Sequence, residues 1–213
     1  MLRVLRPGLA RALIPLGRVL ARTGISPNVL TMAGTVGVAG GALGFYPRGE
    51  LFVGTLVVTF FVFSDMLDGA LARARGSVGP WGAFLDSTMD RIGDAAIFGG
   101  LVLWFAGGGD DALLAALALY CLVAGGIVSY AKARAEGLGF ACNVGIAERT
   151  ERLLLILVAT GLHGLGVPYA LPVGLWLLAV GATVTVAQRF VVVWRQAGQV
   201  DSGGPGPAGR AGR

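Results

Sequence analysis

The sequence predicts an all-α integral membrane protein: six transmembrane helices, preceded by an N-terminal amphipathic helix lying along the membrane surface. Three observations carry that expectation. Of 213 residues, 55% are hydrophobic and only 14% charged, whereas soluble domains carry about a quarter charged residues. Mean hydropathy is +0.74, and six apolar stretches are of the order of the ~20 residues that cross a bilayer. If all six cross, every one of the 17 lysines and arginines except Arg48 falls on the same side. Once these stretches are counted, nothing is left for a soluble partner domain, so residues 23–200 read as one membrane domain.

The elements follow in order. Residues 1–22 interleave Arg3, Arg6, Arg11, Arg18 and Arg22 with Leu2, Leu5, Leu9, Leu13, Ile14 and Leu20. That is the pattern of a basic interfacial helix. A secretory signal would need an unbroken apolar core and a small-residue cleavage site; a transit peptide is the rival reading. The apolar stretches run over 27–46, 51–72, 81–106, 111–133, 149–165 and 168–194, with Ser26 and Pro27 forming a helix start and Asp110-Asp111 another. Breakers separate them, among them Pro47-Arg48-Gly49 and Gly107-Gly108-Gly109. The 201–213 segment, rich in Gly, Pro and Ala, reads as a disordered tail. An even number of crossings with one-sided positive charge places both termini in the cytoplasm of a multi-pass plasma-membrane protein. The 36 glycines point to close helix approach. Cys121 and Cys142 form no CxxC pair and no disulfide framework. His163, the single histidine, falls in a loop on the opposite side, and Trp104, Trp176 and Trp194 read as anchors or packing residues.

Ionisable residues inside membrane segments are costly and mark function by default. Asp65, Asp68, Asp86, Asp90 and Asp94 cluster near the cytoplasmic end of the second stretch and the start of the third. Spacings of three (Asp65, Asp68) and four (Asp86, Asp90) put each pair on one helical face, and the short connection makes the two helices antiparallel neighbours. Four carboxylates in partial burial repel one another and take up protons unless a cation sits among them. Hard divalent ions solve this, Mg²⁺ preferring carboxylates together with substrate phosphates. Two such ions could clamp a displacement at phosphorus. Arg73 and Arg75, just beyond, suit a phosphate or nucleotide. Asp94 has an ordinary reading as a water-facing or capping residue.

Asp65-Met-Leu-Asp68-Gly69-Ala-Leu-Ala72-Arg73, eight residues, then Gly82-Ala-Phe-Leu-Asp86-Ser-Thr-Met-Asp90 resembles the signature of the CDP-alcohol phosphotransferase family throughout. The resemblance implies six helices with an amphipathic N-terminal helix, and a homodimer, which the glycine-rich third and fourth helices would permit. It implies that Asp65, Asp68, Asp86 and Asp90 hold two metal ions, Mg²⁺ or alternatively Mn²⁺, and that Asp90 is also the general base. It implies a CDP-diacylglycerol site at Asn28, Thr31, Gly69 and Arg73. Gly79 departs from related sequences, which often carry a hydroxyl residue near it.

The acceptor is read from a second cluster. Arg149 and Arg152 stand at a helix N-terminus, where cations oppose the dipole, so an anion or an acid partner is expected beside them. Lys132, Arg134 and Arg189 join them on the cytoplasmic side, and guanidinium groups suit a phosphate; Arg195 is explained by the positive-inside rule alone. The stretches Ser129-Tyr-Ala-Lys132-Ala-Arg134-Ala-Glu and Gly-Ile-Ala-Glu148-Arg149-Thr-Glu151-Arg152-Leu are similar to the actinobacterial branch of the family whose acceptor is inositol 1-phosphate. That similarity implies an inositol-phosphate pocket at Ser129, Lys132, Arg134, Arg152 and Arg189, phosphatidylinositol phosphate as product and CMP as leaving group. The alternatives are the same chemistry on glycerol 3-phosphate and, from other classes, a cation transporter or a membrane scaffold. Carboxylates gathered at one depth argue against a transport path.

Overall fold

The computed structural model describes residues 26–75 and 79–201, with side chains described for 26–63 and 79–199. The amphipathic helix expected at 1–22 and the tail from Ser202 onward lie outside the described residues. Asp65, Asp68, Gly69 and Arg73 are described as helix backbone only. Among the described residues the regular elements are all helical: α1 (Pro27–Phe45), a 3₁₀ turn (Tyr46–Arg48), α2 (Leu51–Arg75), α3 (Pro80–Ala106), α4 (Ala112–Gly137), α5 (Arg149–Gly164) and α6 (Ala170–Asp201).

Local chemistry explains where several of these begin and end. The Ser26 hydroxyl accepts from the Val29 amide at 3.3 Å, with Pro27 in the first turn of α1. Asp111 caps α4 by accepting from Leu114 N at 2.9 Å. Gly49, at φ 79°, closes the 3₁₀ turn with its amide on Tyr46 O, a left-handed conformation that glycine adopts without a Cβ penalty. Three helical segments are long and apolar enough to cross a bilayer, Pro27–Arg48, Ala112–Gly137 and Ala170–Gln199, and Leu51–Phe63 forms a shorter apolar helix. α3 and α5 carry the acidic and basic residues described below. The chain is an integral membrane protein. Large apolar side chains stand exposed on all six helices, among them Val36, Phe60, Leu103, Val123, Val158 and Phe190, a surface suited to lipid rather than water.

Inside, Tyr46, Ile97, Leu101, Ile156, Leu171 and Leu175 are fully buried. The closely packed pairs are α1 with α2 and with α3, α4 with α3 and with α6, and α5 with α2 and with α6. α1 packs against both α2 and α3; the expected antiparallel contact between α2 and α3 near their short connection falls on side chains 64–75 and residues 76–78, which lie outside the described residues. Small residues bring α1 close: a Cβ at Gly100 of α3 would lie 2.8 Å from the Ala42 carbonyl oxygen of α1, and one at Gly41 would lie 2.9 Å from the Val57 side chain of α2. At the end carrying Arg48, the Trp104 ring meets His163 with centroids 5.6 Å apart. Both cysteines are buried and free.

Candidate active site

Asp86, Asp90 and Asp94 recur every four residues along α3, so they climb one face of the helix. They differ in burial. Asp86 is exposed, while the side chains of Asp90 and Asp94 are 17% and 9% exposed. A carboxylate at such depth needs a cationic or hydrogen-bonding partner, and α5 supplies it. Arg149 Nη1 lies 2.7 Å from Asp90 Oδ1, and its Nε lies 3.4 Å from Asp94 Oδ1. Arg152 Nη2 lies 3.2 Å from Asp94 Oδ2, with its Nη1 donating to Ala147 O at 3.4 Å. Arg91, from α3 itself, places Nη1 3.2 Å from Asp94 Oδ2 and donates to the Ser129 hydroxyl of α4. Three guanidiniums therefore meet two carboxylates. The cations that looked misplaced at the start of α5 have their acid partners on α3.

The segment that delivers Arg149 and Arg152 is held in place by α6 at three levels. Gln196 accepts from Ala141 N at 3.1 Å and donates to Ala141 O at 2.8 Å. Arg189, buried, donates from Nε to Val144 O at 3.0 Å and from Nη1 to Val128 O of α4. The Thr185 hydroxyl accepts from the amides of Ile146 at 3.2 Å and Ala147 at 3.1 Å. These contacts satisfy backbone groups of a non-helical stretch that would otherwise be orphaned. Gly125 completes the fit, because a Cβ there would lie 3.2 Å from Arg152 Nε.

Of the acceptor-pocket residues expected from the sequence, Ser129 and Arg152 join the cluster around Asp94. Arg189 lies behind it, engaged with backbone carbonyls. Lys132 pairs with Glu136 at 3.8 Å, and Arg134 is exposed near the end of α4. Of the donor-site residues, Asn28 faces α3: a Cβ on Gly82 would lie 3.9 Å from its Oδ1. Thr31 is buried and donates its hydroxyl to Pro27 O at 3.1 Å. Two spaces open at the cluster. A cavity of about 530 Å³ between α3 and α4 is lined by Ser87, Thr88, Arg91, Asp94, Ser129 and Tyr130, among others. A narrow one between α1, α3 and α5 is bounded by Thr35, Asp90 and Arg149.

The donor set fits hard divalent ions. Asp86 and Asp90 offer carboxylate oxygens on one helical face, and Asp90 already accepts a cation in the form of Arg149. Among the described residues no group of three or more Asp, Glu, His or Cys side chains converges, and the side chains of Asp65 and Asp68 lie outside the described residues. Arg91 carries no local signal in the sequence, whereas Arg149 stands out as a cation at a helix N-terminus and Asp94 as part of the aspartate cluster. The signal was present in Asp94, which continues the four-residue spacing of Asp86 and Asp90.

Comparison with known proteins places most of the chain among relatives. The profile of the CDP-alcohol phosphatidyltransferase family matches residues 24–187. The phosphatidylinositol phosphate synthase of Streptomyces avermitilis is 52% identical over 199 residues, covering 90% of this chain and 82% of the relative. That of Cutibacterium acnes is 46% identical, covering 92% and 98%. Among solved structures, Mycobacterium tuberculosis phosphatidylinositol phosphate synthase with CDP-DAG bound superposes with a TM-score of 0.82 at 46% identity, covering 86% of this chain and 94% of that one. The same enzyme in complex with manganese and citrate gives a TM-score of 0.81, at 85% and 88% coverage. A fold, a signature and an enzyme likeness that span most of the chain lead to one assignment: the chain belongs to the CDP-alcohol phosphatidyltransferase family.

Proposed function

We propose that the protein transfers the phosphatidyl group of CDP-diacylglycerol to inositol 1-phosphate, giving phosphatidylinositol phosphate and CMP. The observation that carries this reading is the convergence of Arg91, Arg149 and Arg152 on Asp94, with Arg149 also reaching Asp90. It sets an anion-binding group next to the carboxylates of the family signature, as a phosphorylated alcohol requires. The names of the relatives support the acceptor, and a relative solved with CDP-DAG supports the donor.

Asp65, Asp68, Asp86 and Asp90 would hold two divalent ions, Mg²⁺ or Mn²⁺, a manganese complex of a relative lending support. When bound, such ions neutralise the pyrophosphate of the donor. Asn28, Thr31, Gly69 and Arg73 would bind the nucleotide and its phosphates. Ser129, Lys132, Arg134, Arg152 and Arg189 would form the acceptor wall. Asp90 then takes the proton from the acceptor hydroxyl as Arg149 gives way. The freed oxygen attacks the phosphorus bonded to diacylglycerol, and that phosphorus loses its bond to the bridging oxygen, which leaves as part of CMP.

The topology that suits this chemistry has six crossings over residues 23–200, the 1–22 helix on the surface and the 201–213 tail free. Both termini and the active site face the cytoplasm, where a charged acceptor is available, and the protein resides in the plasma membrane as a homodimer. The test is product analysis. Purified protein given CDP-diacylglycerol, Mg²⁺ and inositol 1-phosphate should form phosphatidylinositol phosphate and CMP in equal amounts, and absence of that lipid would refute the reading.

A further inference from the structure

Asp94 holds three guanidinium partners, yet takes no part in the proposed transfer. It is 7% exposed and lies within 3.4 Å of three guanidiniums, those of Arg91, Arg149 and Arg152. The three differ in access. The Arg152 side chain is 4% exposed, whereas those of Arg149 and Arg91 are 29% and 32% exposed. The buried pair Asp94–Arg152 thus forms a base from which the two more open arginines project. Asp94 and Arg91 also line the 530 Å³ cavity between α3 and α4 together with Ser129, a volume in the range of about 300–1,000 Å³ typical of small-molecule sites.

Charge gives the arrangement its meaning. Among the described ion pairs of this cluster, two carboxylates, Asp90 and Asp94, face three guanidiniums. A phosphate monoester carries about −1.5 to −2 at neutral pH and offers three acceptor oxygens. Arginines crowded together repel and splay apart unless an acid anchors them. A neutral residue at position 94 would leave Arg149 tied to Asp90 alone, and Arg91 held only by the Ser129 hydroxyl and, at 3.9 Å, by Asp90.

We propose that Asp94 is the positioning residue of the acceptor-phosphate site, holding Arg91, Arg149 and Arg152 around one point beside Asp90 so that the phosphate of the alcohol completes their charge. This rests on the reading of the acceptor as a phosphorylated alcohol. It adds Arg91 and Arg149 as phosphate contacts and gives Asp94 a role in selecting phosphorylated over free alcohols.

The test is Asp94→Asn, which keeps shape and removes charge, assayed by CMP release with inositol 1-phosphate and with free inositol. The KM for inositol 1-phosphate should rise about tenfold or more, equivalent to about 1.4 kcal/mol, while the KM for CDP-diacylglycerol stays within about twofold and kcat within about threefold. The preference for inositol 1-phosphate over free inositol should fall in step. Asp94→Glu should restore most of the KM, and the combined effect of Asp94→Asn and Arg149→Gln should be less than the sum of the two, because the variants share the Asp94–Arg149 contact. The rise in unfolding temperature that inositol 1-phosphate induces in detergent-solubilised wild type should shrink in Asp94→Asn, a readout independent of turnover. If Asp94→Asn fails to fold, Arg91→Gln, at a more exposed position, must show the same rise in the KM for inositol 1-phosphate with the KM for CDP-diacylglycerol unchanged. Wild-type turnover on inositol 1-phosphate with an unchanged KM in the folded variant would overturn this inference alone; absence of wild-type turnover would overturn the acceptor reading itself.

Discussion

Arg189→Met separates a brace from a ligand. Arg189 is 3% exposed on α6, and its guanidinium donates to Val144 O and Val128 O, tying the segment before α5 to α4. Methionine fills much of the volume and donates nothing. Hydrogen bonds from a charged group contribute about 1.5–3 kcal/mol each. Relief from burying the charge offsets part of that, leaving a net loss of about 2–4 kcal/mol. For a chain of this length, about 2–4 °C of unfolding temperature goes with each kcal/mol, so the midpoint in detergent should drop by about 4–16 °C. Thr185 and Gln196 still grip the segment, so the variant should fold, with Arg149 and Arg152 less well held and kcat/KM lower for the acceptor. Arg189→Lys should behave similarly, because a single ammonium cannot reproduce the guanidinium fork. An unchanged midpoint in Arg189→Met, with a raised acceptor KM, would refute the brace and leave Arg189 as a phosphate ligand only.

Three further outcomes are expected. Asp90→Asn should lower turnover by about 10²–10⁴, as loss of a general base does, with the unfolding midpoint little changed; CMP release measures it. Chelation by EDTA should abolish CMP release, and Mg²⁺ or Mn²⁺ should restore it, with Asp86→Asn shifting the metal concentration needed. Gly100→Ala should cost about 1–3 kcal/mol by overpacking, because the added methyl would lie 2.8 Å from Ala42 O and push α1 from α3; thermal unfolding reports it.

Much of this was legible in the sequence because hydropathy and cost speak plainly in a membrane protein. The six helices follow from apolar runs broken by Gly and Pro, and two starts follow from Ser26 and Asp111, whose caps are present. Asp86 and Asp90 stand out because carboxylates in apolar helices are costly. Asp94 was misjudged because its meaning lies in partners 55 and 58 residues away on α5, a distance no local pattern encodes. The same is true of α6, where Arg189 shows as a cation but the carbonyls it satisfies are set by packing. The packing of α1 against both α2 and α3 was not legible either, because it depends on the small residues Gly41 and Gly100 meeting partners on other helices.

The central claim is the acceptor, and a competition assay tests it most directly. Purified protein with CDP-diacylglycerol and Mg²⁺ is offered inositol 1-phosphate, free inositol or glycerol 3-phosphate, and CMP release is followed. The account predicts turnover with inositol 1-phosphate well above that with either of the others, lost in Arg152→Ala and kept in Arg195→Ala. Preferential turnover with glycerol 3-phosphate would contradict it, leaving the carboxylate chemistry intact and the reading of the guanidinium cluster wrong.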